Sequence, residues 1–464
     1  MKKKLSLLLA LIACFTLLVS CTETAPTPAQ NNNVQQDPAP APAVQNDAPE
    51  KNVPVEEKIL QIYTWEASLK KQNDAVVAAF EAKNPGVKVQ INYPVENDNT
   101  AYTQKMDLLL ISDVVIDAML ESSVARCVDK VNRGLYLPLN EYLDAEGVKY
   151  DDIYSVDSSI DGKYYATPID ISPWFVMINK AMLDAAGLPI PPLNWTWDDY
   201  RDYAKKLTKG SGVDKVYGSY FHTWQNYDLM GVYSTKMDNA YYKADGSLNF
   251  DDPNLRDWLQ YRYDIENVDQ TSVTLMDIKT SKLAYRNEYY AQKVAMVPTG
   301  AWMLAEIKDL EKWPHDFQTV FAPLPKWKNG QEGRTFSDTK MFSITKSAKY
   351  PKEAYDFIRF YTTEGAYIRA GGLTAEKDMD VETVIKAIVG DNPDALYNMD
   401  SLYAVFKNPL MQYNAPMIAP PYNAEIDTMF VEECEKYLVG GGTLDQCIEA
   451  LKTRGADIVR KSGA

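Results

Sequence analysis

Aromatic and acidic side chains are the residues of this sequence that best indicate a chemistry. The 464 residues include 31 Tyr, 9 Trp and 64 acidic side chains. Aromatic faces bind the C–H surfaces of sugar rings, and carboxylates accept hydrogen bonds from two hydroxyls at once. Trp65 and Glu66 directly follow a predicted strand, and Trp224 lies in a polar, aromatic loop without helical periodicity. We expect all three to lie on a surface that meets a ligand, with a surface pair as the alternative for Trp65 and Glu66 and a lid as the alternative for Trp224.

Signatures of catalysis are scarce. His222 and His315 are the only histidines, and neither has a metal-ligand neighbour at helix or finger spacing, so we expect neither a His-based triad nor a zinc site. No Gly-x-Gly-x-x-Gly follows a strand and no Walker-type loop occurs, which argues against a nucleotide cofactor. With 64 acidic residues, no single carboxylate pair is evidence for glycosidase chemistry. The sequence therefore predicts a protein that is not an enzyme and has no metal or cofactor.

The net charge narrows the class of partner. The formal charge of −16 at pH 7 repels phosphate backbones, so we expect no nucleic-acid partner.

The N-terminus predicts export and a lipid anchor. Lys2–Lys4 supply a positive region and Leu5–Val19 an apolar stretch too short to be a comfortable membrane span, as in a secretory leader covering residues 1–20. The leader ends in Leu-Val-Ser-Cys, which resembles the bacterial lipobox, so Cys21 is the expected lipidation site; an ordinary leader with an incidental Cys21 is the alternative. The Pro- and Ala-rich residues 21–57 have no apolar periodicity and should form a disordered tether.

Residue 58 begins a pattern of alternating strands and helices. Residues 59–63 and 87–91 read as strands on either side of a helix over residues 75–82. This β-α-β order predicts an α/β fold with a parallel sheet. Further strands are expected at 113–118, 174–179, 293–297, 319–322 and 341–345, and helix-capping signals lie at Thr196, Pro351 and Thr443.

The order of several motifs adds a family resemblance. The motifs are Phe-Glu-Ala-Lys-Asn-Pro-Gly-Val-Lys-Val at 80–89, Asp-Gly-Lys-Tyr-Tyr-Ala-Thr-Pro at 161–168, Met-Ile-Asn-Lys at 177–180, the Thr-Trp helix within 194–207, Lys-Val-Ala-Met at 293–296 with Gly-Ala-Trp at 300–302, and the helix within 348–365. From residue 58 onward the chain resembles the family 1 extracellular solute-binding proteins, which include maltose-binding lipoproteins. The segment 109–117 departs from the usual Gly-x-x-Pro-Asp pattern of that family.

The resemblance implies a two-lobed periplasmic-binding-protein fold in which each lobe has a central sheet flanked by helices. Three inter-lobe crossings are expected near residues 170–172, 336–338 and 365–367. The N-lobe would then contain residues 58–170 plus 338–366, and the C-lobe residues 171–337 plus 367–464.

The resemblance also extends the set of expected ligand-binding residues. In addition to Trp65, Glu66 and Trp224, the set comprises Glu121, Asp170, Trp174, Trp302, Asp338 and Tyr422. Trp302 is the strongest candidate, because the family places a stacking aromatic in the turn after this strand; a core position is its alternative. Trp174 follows Pro173 and is equally compatible with a structural hinge, and Tyr422 follows two prolines that could form a rigid connection.

The implied function is that of a monomeric lipoprotein on the extracytoplasmic face of the bacterial membrane. It would bind a sugar or oligosaccharide in the cleft and deliver it to the permease of an ABC importer with a cytoplasmic ATPase. A membrane-anchored polysaccharide-processing enzyme and a binding protein for another solute, such as a polyamine, are the alternatives. Whether Cys434 and Cys447 pair is left open by the sequence, because the separation of their Cα atoms decides it.

Overall fold

A computed structural model of the chain describes residues 57–233, 235, 240–243, 245–408, 412–414 and 420–463. The expected leader, the lipidation site Cys21 and all but the last residue of the expected tether lie outside the described residues.

The described residues contain strands in both halves of the chain. They are β1 Lys58–Tyr63, β2 Val87–Asn92, β3 Ala118–Glu121, β4 Ser159–Ile160, β5 Lys163–Tyr164, β6 Thr167–Asn179, β7 Tyr217–Ser219, β8 Val294–Gly300, β9 Thr319–Pro323, β10 Arg334–Ile344, β11 Leu373–Thr374 and β12 Gln412–Asn414.

The helices alternate with the strands through most of the chain. They are α1 Lys70–Lys83, α2 Asn99–Leu109, α3 Val124–Asn132, α4 Asn140–Glu146, α5 Tyr150–Ile153, α6 Lys180–Ala185, α7 Trp197–Leu207, α8 Gln225–Tyr233, α9 Pro253–Tyr263, α10 Leu275–Ser281, α11 Tyr285–Tyr290, α12 Pro351–Thr362, α13 Glu364–Arg369, α14 Val381–Val389, α15 Met399–Phe406, α16 Asn423–Leu438 and α17 Leu444–Ser462.

The sheet has the strand order β2-β1-β3-β10-β6-β8-β7, with β9 and β11 also paired to β6 and β12 to β10. Strand β1 is parallel to both β2 and β3, which confirms the predicted β-α-β unit. Strands β6 and β10 are antiparallel neighbours in the middle of this sheet. The result is the expected α/β architecture, but the sheet is not parallel throughout as predicted: β1, β2 and β3 are parallel, whereas β10 is antiparallel to β3 and to β6.

One predicted strand is wrong. Residues 113–118 were expected to form it, but the strand is β3, which begins at Ala118. The preceding residues turn instead, and Ser112 donates its hydroxyl to the carbonyl of Leu109 at 2.7 Å. Asp117 then accepts backbone N–H bonds from Gln61 and Lys349, at 2.8 and 2.7 Å. A carboxylate that accepts backbone N–H bonds in this way determines where the strand begins. The apolar content of the sequence does not reveal such hydrogen bonds.

The two longest strands connect the halves of the sheet. The first half of β6 pairs with β10 and β11, and its second half pairs with β8 and β9. Asp338 of β10 lies opposite Ser172 of β6, and Ser337 lies opposite Pro173. The first two expected crossings are therefore neighbours in the sheet.

Helix ends follow their capping signals. Thr196 and Asp199 form a capping box at the start of α7, and Thr443 and Gln446 form one at the start of α17. Pro351 occupies the first turn of α12. These contacts satisfy N–H groups that have no partner inside the helix.

Buried aromatic and aliphatic side chains fill the space beneath the helices. Cys434 of α16 and Cys447 of α17 are both buried free thiols in one of these cores. Within the part of the chain that the structure describes, no helix combines the length and the apolar character needed to cross a membrane.

Candidate functional site

Strand β6 places two kinds of side chain on one face of the sheet. Successive side chains of a strand alternate between faces, so Asp170, Ser172 and Trp174 share one face. Asp170 and Trp174 are four residues apart, or about 13 Å along the strand. Lys340 lies opposite Asp170, and Gly300 lies opposite Trp174. The face therefore carries charged groups toward one end and aromatic groups toward the other.

Three of the expected tryptophans form one aromatic cluster, which we call the three-Trp cluster: Trp174, Trp224 and Trp302. The ring centroids of Trp174 and Trp302 are 5.4 Å apart, those of Trp224 and Trp302 are 6.0 Å apart, and those of Trp174 and Trp224 are 6.5 Å apart. All three pairs meet edge to face, which is a favourable geometry for aromatic rings. Trp174 is buried, Trp302 is partly buried and Trp224 is 36% exposed. The cluster thus joins the core to the surface.

Gly300 makes room for the indole of Trp302. Strand β8 continues to Gly300, three residues beyond the predicted end of this strand at residue 297, and a 3-10 turn over Ala301–Met303 then folds Trp302 back over the strand end. A Cβ atom at Gly300 would lie 2.0 Å from the indole ring. The indole Nε1 donates a hydrogen bond to the hydroxyl of Tyr285 at 3.0 Å. The position and orientation of this ring are therefore both fixed.

A buried ion network holds the loop that carries Trp224. Arg262 donates to Asp228 at 2.5 Å and to Glu266 at 2.8 Å, and all three side chains are buried. The same guanidinium donates to the backbone carbonyl of His222 at 3.0 Å. Arginine can serve all three acceptors because its five N–H donors have a fixed, planar geometry. The loop is thus tied to the helix α9 beneath it.

At the other end of the face, four charged side chains form what we call the Glu66–Arg369 network. Lys340 donates to Glu66 at 2.5 Å and pairs with Asp170 at 2.7 Å. Arg369 donates to the same two carboxylates, at 3.2 Å to Glu66 and 3.0 Å to Asp170. Two cations and two carboxylates leave the network without net charge, and removing one member would leave an uncompensated buried charge.

Glu66 and Asp170 were both predicted site residues, whereas Lys340 and Arg369 were not. The four side chains come from segments separated by up to 303 positions, so no local spacing could have revealed their pairing. Asp170 is 1% exposed, and its Oδ1 atom has no hydrogen-bond partner among the described residues.

The remaining predicted residues lie in separate places. Trp65 is partly buried, with its ring centroid 5.2 Å from that of Tyr102. Glu121 is 1% exposed, accepts a hydrogen bond from Tyr136 and pairs with Lys130 at 3.1 Å.

Tyr422 directly precedes α16 and is partly buried, with its ring 6.5 Å from that of Tyr242. The backbone of Asp338 lies opposite Ser172, but its side chain falls outside the described residues.

The fold and the site together define a class of protein, a two-lobed α/β binding protein whose long central strands carry a set of aromatic and paired charged side chains. The chain belongs to the bacterial extracellular solute-binding protein family, whose model matches residues 60–368. This confirms the resemblance seen in the sequence.

Individual relatives are more distant. A binding protein of Brucella abortus is 25% identical over 297 residues, or 62% of this chain and 67% of that protein. The arabinooligosaccharide-binding protein of Halalkalibacterium halodurans is 22% identical over 231 residues, or 48% of this chain and 49% of that protein. An ABC substrate-binding protein of Listeria monocytogenes, solved in complex with cycloalternan, has a TM-score of 0.71 at 20% identity and covers 88% of this chain and 99% of its own. The structural likeness confirms the predicted fold.

Proposed function

We propose that this protein is the solute-binding component of an ABC importer and that it binds a neutral sugar or oligosaccharide against the three-Trp cluster. The observation that carries the proposal is the cluster itself, in which a partly exposed Trp224 and a partly buried Trp302 are held by a buried Trp174. Rigid aromatic faces bind pyranose rings without requiring the side chains to become ordered on binding.

The charged side chains favour a neutral solute over a polyamine. A polyamine would need carboxylates that lack a partner, and Glu66 and Asp170 are each paired with Lys340 and Arg369. The same pairing argues against the enzyme alternative, because both carboxylates are already engaged by Lys340 and Arg369 and are not available to act on a substrate.

The names of two relatives support the choice of solute. One relative is an arabinooligosaccharide-binding protein, and one structural neighbour was solved with the cyclic oligosaccharide cycloalternan. Both ligands are neutral carbohydrates that present many hydroxyl groups.

The proposed mechanism is a two-state equilibrium. The proposed N-lobe contains residues 58–170 plus 338–366, and the proposed C-lobe contains residues 171–337 plus 367–464. The two lobes close on the solute, and the closed form docks on the permease as a monomer. The solute shifts the equilibrium by its additional contacts in the closed state. Strands β6 and β10, side by side at the first two proposed crossings, would flex together.

A lipid anchor at Cys21 forms part of this proposal. The variant Cys21→Ala should leave the membrane fraction or accumulate with its leader attached. Retention of the variant in membranes with unchanged lipid labelling would show that another residue anchors the chain.

A thermal-shift panel tests the choice of solute. Arabino-, manno- and malto-oligosaccharides would be compared with spermidine and inorganic phosphate. A solute present at 100 times its Kd stabilises the folded state by about 2.7 kcal/mol, so at least one oligosaccharide should raise the melting temperature. A shift with spermidine alone would overturn the sugar assignment.

A further inference from the structure

His222 lies at the edge of the three-Trp cluster. Its ring centroid is 4.9 Å from that of Trp224 and 5.4 Å from that of Tyr285, the residue that accepts the Trp302 N–H. The imidazole is only partly buried, and its backbone carbonyl is held by Arg262. The ring is therefore fixed beside the aromatic surface that we propose binds the solute.

The hydrogen bonds of Tyr220 determine which nitrogen of His222 carries a proton. The Tyr220 hydroxyl is 3.1 Å from the carbonyl oxygen of Leu283 and 3.0 Å from Nδ1 of His222. A carbonyl only accepts, so the single hydroxyl proton is donated to Leu283. Nδ1 must then carry a proton and donate it to the Tyr220 oxygen.

The imidazole is neutral under ordinary conditions. Burial, reinforced by the positive charges of Arg262 and Arg286, lowers the pKa of His222 to about 4. A neutral imidazole has only one N–H, so Nε2 is an acceptor. Among the described residues, Nε2 has no hydrogen-bond partner.

We infer that Nε2 of His222 accepts a hydrogen bond from a hydroxyl of the carbohydrate bound at the three-Trp cluster. This inference rests on the proposed function and makes it more specific: the aromatic faces supply contact area, and His222 selects a solute with a hydroxyl at the edge of the stacked ring. A solute group that only accepts hydrogen bonds would oppose the Nε2 lone pair, and an apolar group would leave it without a partner.

The presence of only two histidines permits a direct test by NMR of the full-length chain labelled with 15N-histidine. Multiple-bond 15N–1H correlation distinguishes the two neutral tautomers. We expect the Nδ1–H form for His222. The chemical shift of its Nε2 should change when arabinotriose, mannotriose or maltotriose binds.

His315 provides an internal control. Its Nδ1 donates a hydrogen bond to the carbonyl of Trp313 at 2.7 Å, but its Nε2 is buried and has no hydrogen-bond partner among the described residues. Its resonances should not respond to the trisaccharide.

Two variants separate the acceptor from the shape of the side chain. His222→Gln retains an acceptor oxygen, whereas His222→Leu retains apolar volume alone. A neutral hydrogen bond contributes about 0.5–1.5 kcal/mol, so His222→Leu should weaken trisaccharide binding about 2- to 13-fold. His222→Gln should restore most of the affinity.

The outcomes are distinguishable. An Nε2–H tautomer in the free protein overturns the inference without reference to any solute. A trisaccharide that binds by calorimetry but changes neither His222 nor the affinity of His222→Leu overturns the inference and leaves the proposed function in place. If no carbohydrate binds, both fail.

Discussion

Replacing Trp302 with alanine tests whether the three-Trp cluster binds the solute, because the position and orientation of this ring are both fixed. The indole is partly buried against Trp174 and Trp224, so only part of its surface is free for a solute. A newly buried area of roughly 50–80 Å² at about 25 cal/mol per Å² gives about 1–2 kcal/mol of binding, or about 5- to 30-fold in affinity. This is less than a fully exposed stacking ring would contribute.

The same substitution should also lower stability, because Trp302 packs against two of the buried hydrophobic cores, the one that contains Cys434 and the one that contains Phe175. Isothermal titration calorimetry well below the melting temperature separates the two effects. The matched control is Trp258→Phe, which changes a fully buried tryptophan of the core that contains Cys434. This variant should melt earlier than the native chain but bind equally well. If Trp302→Ala keeps native affinity and loses only stability, Trp302 is a core residue and does not stack on the solute.

Three further predictions concern Gly300, the Glu66–Arg369 network and His222. The variant Gly300→Ala should displace the indole of Trp302, since its Cβ would lie 2.0 Å from the ring. Tryptophan fluorescence emission and the affinity for the solute should both change. An unchanged affinity would show that the position of this ring does not matter for binding. The variant Arg369→Met should destabilise the fold by about 3–5 kcal/mol in denaturant titrations, because it leaves a buried charge without compensation. Because the Glu66–Arg369 network then has a negative net charge, spermidine should stabilise this variant. The absence of any spermidine effect would contradict the explanation that the paired charges exclude a polyamine. The pKa of His222 is lowered on folding from 6.5 to about 4, so the unfolded state binds more protons between these values and stability falls as the pH falls. At pH 5 this costs about 2 kcal/mol relative to pH 7.5, and His222→Gln should lack that part of the pH dependence.

The sequence predicts local features of this protein better than it predicts the contacts between distant segments. The β-α-β start and the capping boxes at Thr196 and Thr443 depend on nearby residues, and all are present. The strand expected at 113–118 failed because side-chain hydrogen bonds of Ser112 and Asp117 compete with strand pairing.

The candidate site likewise combines residues that could be predicted individually with contacts that only the folded chain reveals. Trp174, Trp224 and Trp302 are recognisable as candidates one at a time, but their contact depends on the register that places Trp174 opposite Gly300. The roles of Lys340 and Arg369 were not predictable, because only the folded chain brings them to Glu66 and Asp170. The protonated nitrogen of His222 depends likewise on Leu283, 61 positions away in the chain.

The most direct test of the central claim is a calorimetric titration of the full-length protein with a neutral oligosaccharide, followed by chromatography of the recovered solute. We expect saturable binding at micromolar or better affinity, about −8 kcal/mol, with the oligosaccharide recovered intact. Cleaved product, or binding of spermidine in place of every carbohydrate tested, would contradict it.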